Sequence, residues 1–207
     1  MKQRLLSLIL AVLPSLTFAQ YATEVTITDL NNDVLTEKVQ STLSRLITEC
    51  NNAETEHRPL RLKDLPLTKE VKNSVNALWE TSPFRCTETE IVEGAALNYN
   101  KEYEVRNLPF LFTALDSDDQ YHEVAVTFDS KGNITSFHMT LDQNNYKAVM
   151  MSNASVTDLR RRQEILDYVE SFRTAYCTKD LNFLNAVFSE DAIIKTGHVI
   201  KVKPSKE

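Results

Sequence analysis

The stretch Tyr121–Leu141, YHEVAVTFDSKGNITSFHMTL, predicts a β-hairpin and decides the fold class of the chain. Two runs in which apolar and polar residues alternate flank the turn sequence DSKG, as in two antiparallel strands joined by a short loop. The apolar positions fall at Val124, Val126, Phe128, Phe137, Met139 and Leu141. Facing all of them to one side of the sheet favours a four-residue loop from Asp129 to Gly132, with Gly132 in the left-handed conformation.

The same register separates the two histidines of the hairpin. His122 falls on the side of Val124, whereas His138 points to the opposite side of the second strand. Unless a bulge shifts the register, they are two unrelated residues at the surface or rim of the sheet. The other histidines, His57 and His198, are scattered, and no CxxC spacing occurs. The sequence therefore predicts no metal site and no cofactor.

Two amphipathic helices are predicted before the hairpin. The first runs from Val34 to about Thr55, after the cap-forming residues 31–33. The second begins after the cap Thr68 and ends at Ser82–Pro83, because a proline restricts the residue before it. Each helix is expected to bury one apolar stripe, which comprises Leu35, Val39, Leu43, Leu46 and Ile47 in the first and Val71, Val75, Leu78 and Trp79 in the second.

The remaining segments complete an α+β pattern. YATEVTITDL (21–30) is a short strand or an extended lead-in, RCTETEIVEG (85–94) alternates, and YEVRNLPFLF (103–112) is strand-like around a proline. QNNYKAVMMSNAS (143–155) is predicted to be a loop, and Asp158 is predicted to cap a long helix. The apolar stripe of that helix is Ile165, Leu166, Val169, Phe172, Ala175 and Tyr176. The order predicts helices packed on one face of a curved antiparallel sheet.

ILDYVESFRTAYCTKDLNFLNAVFSEDAII (165–194) resembles the start of a nuclear-transport-factor-2-like, or cystatin-like, cone-shaped domain. In that pattern a long helix meets an aspartate, here Asp180, and a Phe-Ser-Glu-Asp-Ala turn follows a short apolar helix. LWETSPFRC, YEVRNLPFLF and YHEVAVTFDSKGNI also resemble segments of secreted Bacteroidetes-type proteins with this fold. The resemblance implies a complete domain over 25–150. It also implies a second, truncated unit over 158–207, because too few residues follow Asp158 for a full domain.

Residues 1–19 have the pattern of a secretory signal peptide. Lys2 and Arg4 precede an apolar run that is too short to span a bilayer, and Thr17–Ala19 offers a cleavage point before Gln20. The sequence therefore predicts an exported protein, periplasmic or cell-surface or secreted, with no membrane span after signal cleavage.

Composition argues against two further classes of function, nucleic-acid binding and phosphate binding by a glycine-rich loop, and leaves the disulfide state open. The formal net charge of −6 argues against nucleic-acid binding, and only three glycines argue against a glycine-rich phosphate loop. An oxidising compartment permits one disulfide among three cysteines, and Cys50 with Cys86 is then the more plausible pair. Alternatively Cys50, Cys86 and Cys177 are three buried free thiols.

The resemblance implies where chemistry would lie, because enzymes with this fold place acid–base groups inside the cone. The candidates are Glu88, Glu90, Glu93, Tyr103, Arg106, Glu123 and Asp191. None of them sits in a motif that identifies an activity, so the catalytic residues remain unassigned. Trp79, Tyr103 and Arg106 are predicted to bind a ligand, although Trp79 near Pro83 also suits core packing. Arg106 stands out because it interrupts a strand whose neighbours are apolar.

Three functions from different classes follow. The first is a non-catalytic binding or assembly module for a small apolar or amphipathic ligand, with a homodimer through the sheet or the helix 158–178. The second is a small-molecule enzyme of isomerase, hydrolase or cyclase type, which requires two polar candidates in one enclosed pocket. The third is a truncated paralogue without independent function, which predicts a poorly packed C-terminal third. One fold hosts many functions, so the fold alone does not choose between them.

Overall fold

The computed structural model describes residues 22–98, 100–113, 118–152 and 158–193. The predicted signal peptide, 1–19, lies outside these residues, as does His198. The described residues form an α+β fold of five helices and six strands. In chain order the elements are β1 (Glu24–Thr28), α1 (Asp33–Thr55), α2 (Lys69–Thr81), β2 (Phe84–Arg85), β3 (Glu90–Leu97), β4 (Tyr103–Phe112), β5 (Gln120–Phe128), β6 (Ile134–Met139), α3 (Gln143–Met151), α4 (Leu159–Thr178) and α5 (Leu181–Val187).

The six strands form one unclosed sheet in the order β1-β3-β4-β5-β6, and β2 pairs with the far end of β4. β1 runs parallel to β3, and the other pairs are antiparallel. Within the described ranges, no helix has the length and apolar character that a membrane crossing requires.

The helices α1 and α2 bury the predicted stripes against the sheet. The side chain of Asn32 accepts a hydrogen bond from the Leu35 amide, and that of Thr68 accepts one from the Val71 amide, so both predicted caps are confirmed. Every residue of the two predicted stripes is buried. At the centre of this core Phe84 makes an edge contact with Trp79, with ring centroids 5.2 Å apart.

Five of the six predicted apolar residues of the hairpin are buried on one side of the sheet, but the pairing is shifted by two residues from the predicted loop. Val124 lies opposite Met139 and Val126 opposite Phe137, and Gly132 has a φ of 73°. The connection is one residue longer than predicted, because the strands end at Phe128 and resume at Ile134 with a register shift between them. The Asp129 carboxylate stabilises this longer loop by accepting hydrogen bonds from the backbone amides of residues 131 and 133.

The two outer strands both hydrogen-bond to helix side chains. The amides of residues 23, 25 and 27, in and just before β1, donate to Thr48, Ser44 and Gln40 of α1, which are spaced four residues apart. At the other end of the sheet, the Met139 amide donates to Thr174 Oγ1 (3.0 Å) and the amide of Leu141 to Glu170 Oε1 (2.9 Å). Each helix therefore satisfies amides in or next to an outer strand that no described strand pairs with.

The packing of α4 corrects the predicted stripe. Its buried residues are Arg162, Leu166, Glu170, Thr174 and Ala175. Leu166 and Ala175 belong to the prediction, but Ile165 is 52% and Tyr176 67% exposed. The reason is that α4 lies beside the edge of β6, where unpaired amides need acceptors rather than apolar contact. α4 packs on β6, α2 and α3, whereas the division into units 25–150 and 158–207 stays a prediction.

Two further segments differ from or sharpen the sequence prediction. Residues 143–151 form α3 rather than a loop, because the Asp142 side chain caps the helix. It accepts hydrogen bonds from the backbone amides of Asn144 and Asn145. Arg162 of α4 donates to the last carbonyls of α3, at Val149 and Met150. The three cysteines are free thiols, with Cys50 and Cys86 buried and Cys177 partly exposed.

Candidate functional site

A β-bulge in β4 lies at the site. Val105 lies opposite Val126 and Leu108 opposite Val124, so two residues, 106 and 107, oppose the single residue 125. Such a bulge locally re-aims side chains. Asn107 accommodates it with a left-handed φ of 61°, which asparagine tolerates better than most residues. Val105 and Leu108 both stay in the core, while Arg106 and Asn107 face away from it.

The Arg106 guanidinium is bound by two carboxylates. Its Nη1 donates to Glu104 Oε1 (3.0 Å) and Glu170 Oε2 (3.1 Å), and its Nη2 donates to Glu170 Oε1 (2.6 Å). The two-point contact with Glu170 is the geometry in which arginine binds a carboxylate most strongly. Tyr146 of α3 covers the guanidinium, whose carbon lies 4.2 Å from the ring centroid. β4, α3 and α4 therefore meet at this one side chain.

Glu170 is the most buried charged group described, with 1% of its side chain exposed. Burial alone would raise its pKa, but the contacts with His138 and Arg106 and the amide of Leu141 hold the pKa below its ordinary value. Glu170 therefore remains an anion inside the protein, which requires the compensating charge of Arg106.

His138 lies beside Glu170 and corrects a prediction. It does point away from the core side of the hairpin, but it is 4% exposed rather than at the surface or rim, because α4 covers the edge of β6 beside it. Its Nδ1 lies 3.0 Å from Ser136 Oγ. Its Nε2 is 3.4 Å from Glu170 Oε2, too long for a well-formed hydrogen bond. His122 is separate and half-buried, with Nδ1 3.1 Å from Arg173 Nη2.

Arg106 lines a half-open pocket of about 360 Å³ between the β3–β4 part of the sheet and α3–α4. Three carboxylates, those of Glu93, Glu104 and Asp167, also line it. Burial raises the pKa of Glu93, although Asn107 Nδ2 donates to its carboxylate at 3.3 Å. Ala96, Leu97 and the Tyr146 ring supply apolar surface. The pocket therefore combines excess negative charge with an apolar wall.

One ring nitrogen of His138 also comes close to two of these carboxylates. The nitrogen and single oxygens of Glu104 and Asp167 all lie within 4.8 Å of one another. This set of one imidazole and two carboxylates is chemically suited to a metal ion.

The residues proposed from sequence are distributed over several places. Glu93 and Arg106 meet in the pocket, Tyr103 is half-buried against the core, and Trp79 packs in the aromatic core. The other candidates, Glu88, Glu90, Glu123 and Asp191, are not among the described residues that line this pocket.

Sequence reasoning missed Glu170, His138, Tyr146 and Asp167. For Glu170 the available signal was the four-residue spacing of residues 162, 166, 170 and 174, which marks one side of α4. Comparison with known proteins finds no matching family model, no matching curated protein and no matching solved structure.

Proposed function

We propose that the chain is an exported, non-catalytic binding module whose pocket beside Arg106 holds a small amphipathic ligand with a positively charged group. The observation that carries the proposal is the charge of the described lining. Three carboxylates and one guanidinium leave a net charge of −2 if all are ionised. A positively charged ligand group would neutralise part of this charge, and Leu97 and Ala96 offer an apolar surface to the rest of the ligand.

The state of Arg106 argues against an anionic ligand. Its described hydrogen bonds already go to Glu104 and Glu170, and Glu170 is almost completely buried. These bonds use three of the five N–H donors of the guanidinium. A carboxylate or phosphate at the remaining donors would add negative charge beside the carboxylates that already line the pocket, which is unfavourable in a partly buried site.

The proposed fold relationship is the nuclear-transport-factor-2-like cone, with 158–207 as the start of a second unit. It is supported by the order of α1 and α2 followed by the antiparallel strands β3 to β6. Export, and a homodimer through the sheet or through 158–178, remain parts of the proposal that rest on the sequence.

Thermal unfolding with matched probes tests the ligand class. The chain from Gln20 onward is heated with n-hexylamine or with hexanoate, which share one apolar chain and differ in the sign of the charge. We expect hexylamine to raise the Tm, because a ligand that binds only the folded state stabilises it, and hexanoate to leave the Tm unchanged. Asp167→Asn should reduce the amine effect.

Glu164→Gln is the matched control, because Glu164 lies on the same helix with 43% of its side chain exposed and does not line the pocket. It should keep the full amine effect. An equal shift with hexanoate, or no shift with either probe, would contradict the proposed ligand class.

A small-molecule enzyme is the second candidate, and one observation favours it. Glu93 and Arg106, two of the candidates from sequence, line the same pocket, and burial raises the pKa of Glu93 toward the range useful for proton transfer. Incubation with a metabolite extract, followed by mass spectrometry, tests this. A mass change that the wild type causes and Glu93→Gln does not would favour the enzyme over the binding module.

A further inference from the structure

We propose that Glu104, His138 and Asp167 form a divalent-cation site of the zinc type, where the pocket lining meets the buried imidazole. This inference rests on the proposed function, which assigns a positively charged ligand to the pocket. It deepens that proposal by naming a metal ion as the preferred ligand.

The three side chains come from three elements, β4, β6 and α4, and their ligand atoms lie within 4.8 Å of one another. Two ligands that are each about 2.1 Å from a tetrahedral ion lie about 3.4 Å apart. The observed spacing therefore needs only a small inward movement of the side chains. The packed strands and helix already supply the rest of the arrangement.

His138 gives an independent indication of a ligand. Only 5% of its side chain is exposed, and its Nε2 makes no well-formed hydrogen bond to a described residue, since its contact with Glu170 Oε2 is 3.4 Å long. Buried polar atoms in native proteins are almost always satisfied, so this nitrogen requires an explanation. Ser136 lies beside the other ring nitrogen, Nδ1. A metal-binding histidine is usually oriented in this way, through a contact of its second nitrogen.

The surrounding charge fits a divalent cation. Glu104, Asp167 and Glu170 contribute three negative charges and Arg106 one positive charge, so a neutral imidazole leaves a net charge of −2 at the cluster. A divalent ion would neutralise it. Arg106 holds Glu104 through Oε1 and Glu170 through both oxygens, which orients the carboxylates before any ion enters. One imidazole and two carboxylates suit zinc and its first-row neighbours better than calcium, which takes six or more oxygens.

Isothermal titration of the untagged, EDTA-treated chain with zinc chloride tests the site. We expect one ion to bind per chain. Asp167→Asn and His138→Gln should each weaken zinc binding at least 10-fold, the effect typical of losing a ligand or its support. Glu164→Gln should bind zinc within about 2-fold of the wild type, since exposed carboxylates away from the cluster contribute little. Asp167 is less buried than His138, so we expect Asp167→Asn to fold. Its zinc affinity therefore still tests the site if His138→Gln does not fold.

The same titration separates this inference from the proposed function. Zinc and hexylamine would neutralise the same carboxylates, so bound zinc should abolish the amine effect on Tm. If the wild type takes up no zinc, or all variants bind it equally, the metal site is wrong. The shift in Tm that hexylamine causes in the presence of EDTA then still tests the proposed binding module, independently of the metal site. Loss of zinc binding in His138→Gln with an unchanged amine effect would establish the cation site as a separate function of His138.

Discussion

The helices α1 and α4 perform the same structural task with different chemistry. Each accepts hydrogen bonds from the amides of an outer strand through residues four positions apart. α1 uses the neutral side chains of Gln40, Ser44 and Thr48, whereas α4 uses Thr174 and the charged Glu170. A neutral acceptor needs only its donor. A buried carboxylate also needs positive charge, so Arg106 binds it at two points, and the candidate site forms around this pair.

Removing the charged acceptor should have the largest effect. Glu170→Ala removes the two-point partner of the Arg106 guanidinium, which keeps only Glu104, and leaves the Leu141 amide without its acceptor. We expect the free energy of unfolding to fall by about 3–5 kcal/mol. Ser44→Ala, the matched change on α1, removes one neutral hydrogen bond and should cost about 1 kcal/mol. Urea unfolding of both variants measures the difference. Equal losses of unfolding free energy in the two variants would show that a charged acceptor such as Glu170 stabilises the fold no more than a neutral one such as Ser44.

The apolar residues of the two helices should differ almost as much. Leu43 of α1 is fully buried, and Leu43→Ala should lower the free energy of unfolding by about 2–5 kcal/mol through lost burial and a cavity. Val169 of α4 is 44% exposed, and Val169→Ala should change it by no more than about 0.5 kcal/mol. A large loss for Val169→Ala would mean that a second contact surface covers the exposed side of α4.

The smallest predicted effect is a change in the pH dependence of stability. The folded-state pKa of Glu170 is lowered, so its stabilising contribution is present above its unfolded pKa of about 4.3 and is lost as the pH falls through the lower folded value. Glu170→Gln carries no titrating group. The difference in unfolding free energy between wild type and this variant should therefore shrink between pH 6 and pH 3. A difference that grows toward acid would reverse the assigned direction of the shift.

The sequence predicts those parts of the fold in which burial is apolar. The stripes of α1 and α2, the caps within residues 31–33 and at Thr68, and the buried face of the hairpin all follow from residue period and local hydrogen bonding. The orientation of α4 does not, because its inward side is chosen by strand amides and by Arg106 rather than by hydrophobicity. Its exposed apolar residues made the opposite side look like the buried one.

The candidate site is less predictable than the fold for a related reason. Arg106 stands out in the sequence because a charged residue interrupts an apolar strand, but Glu170, Tyr146 and His138, which lie around it or its partner, come from three other elements. Sequence spacing carries information about residues on one element. It carries almost none about side chains that meet only after a helix docks on a sheet edge. The prediction of no metal site rested on scattered histidines and on the absence of a CxxC spacing, which carry no information about one histidine and two acids on different elements. It stays a prediction.

The bulge in β4 contains one residue, Asn107, that the packing of the core does not require. If Asn107 were deleted, Val105, Arg106 and Leu108 would pair in regular succession with Val126, Ala125 and Val124. The core would keep every apolar residue that it now has, and Arg106 would keep its side of the sheet. Asn107 is therefore an insertion that the core does not require. What it adds is the contact with Glu93, so its retention would indicate selection on the pocket rather than on folding.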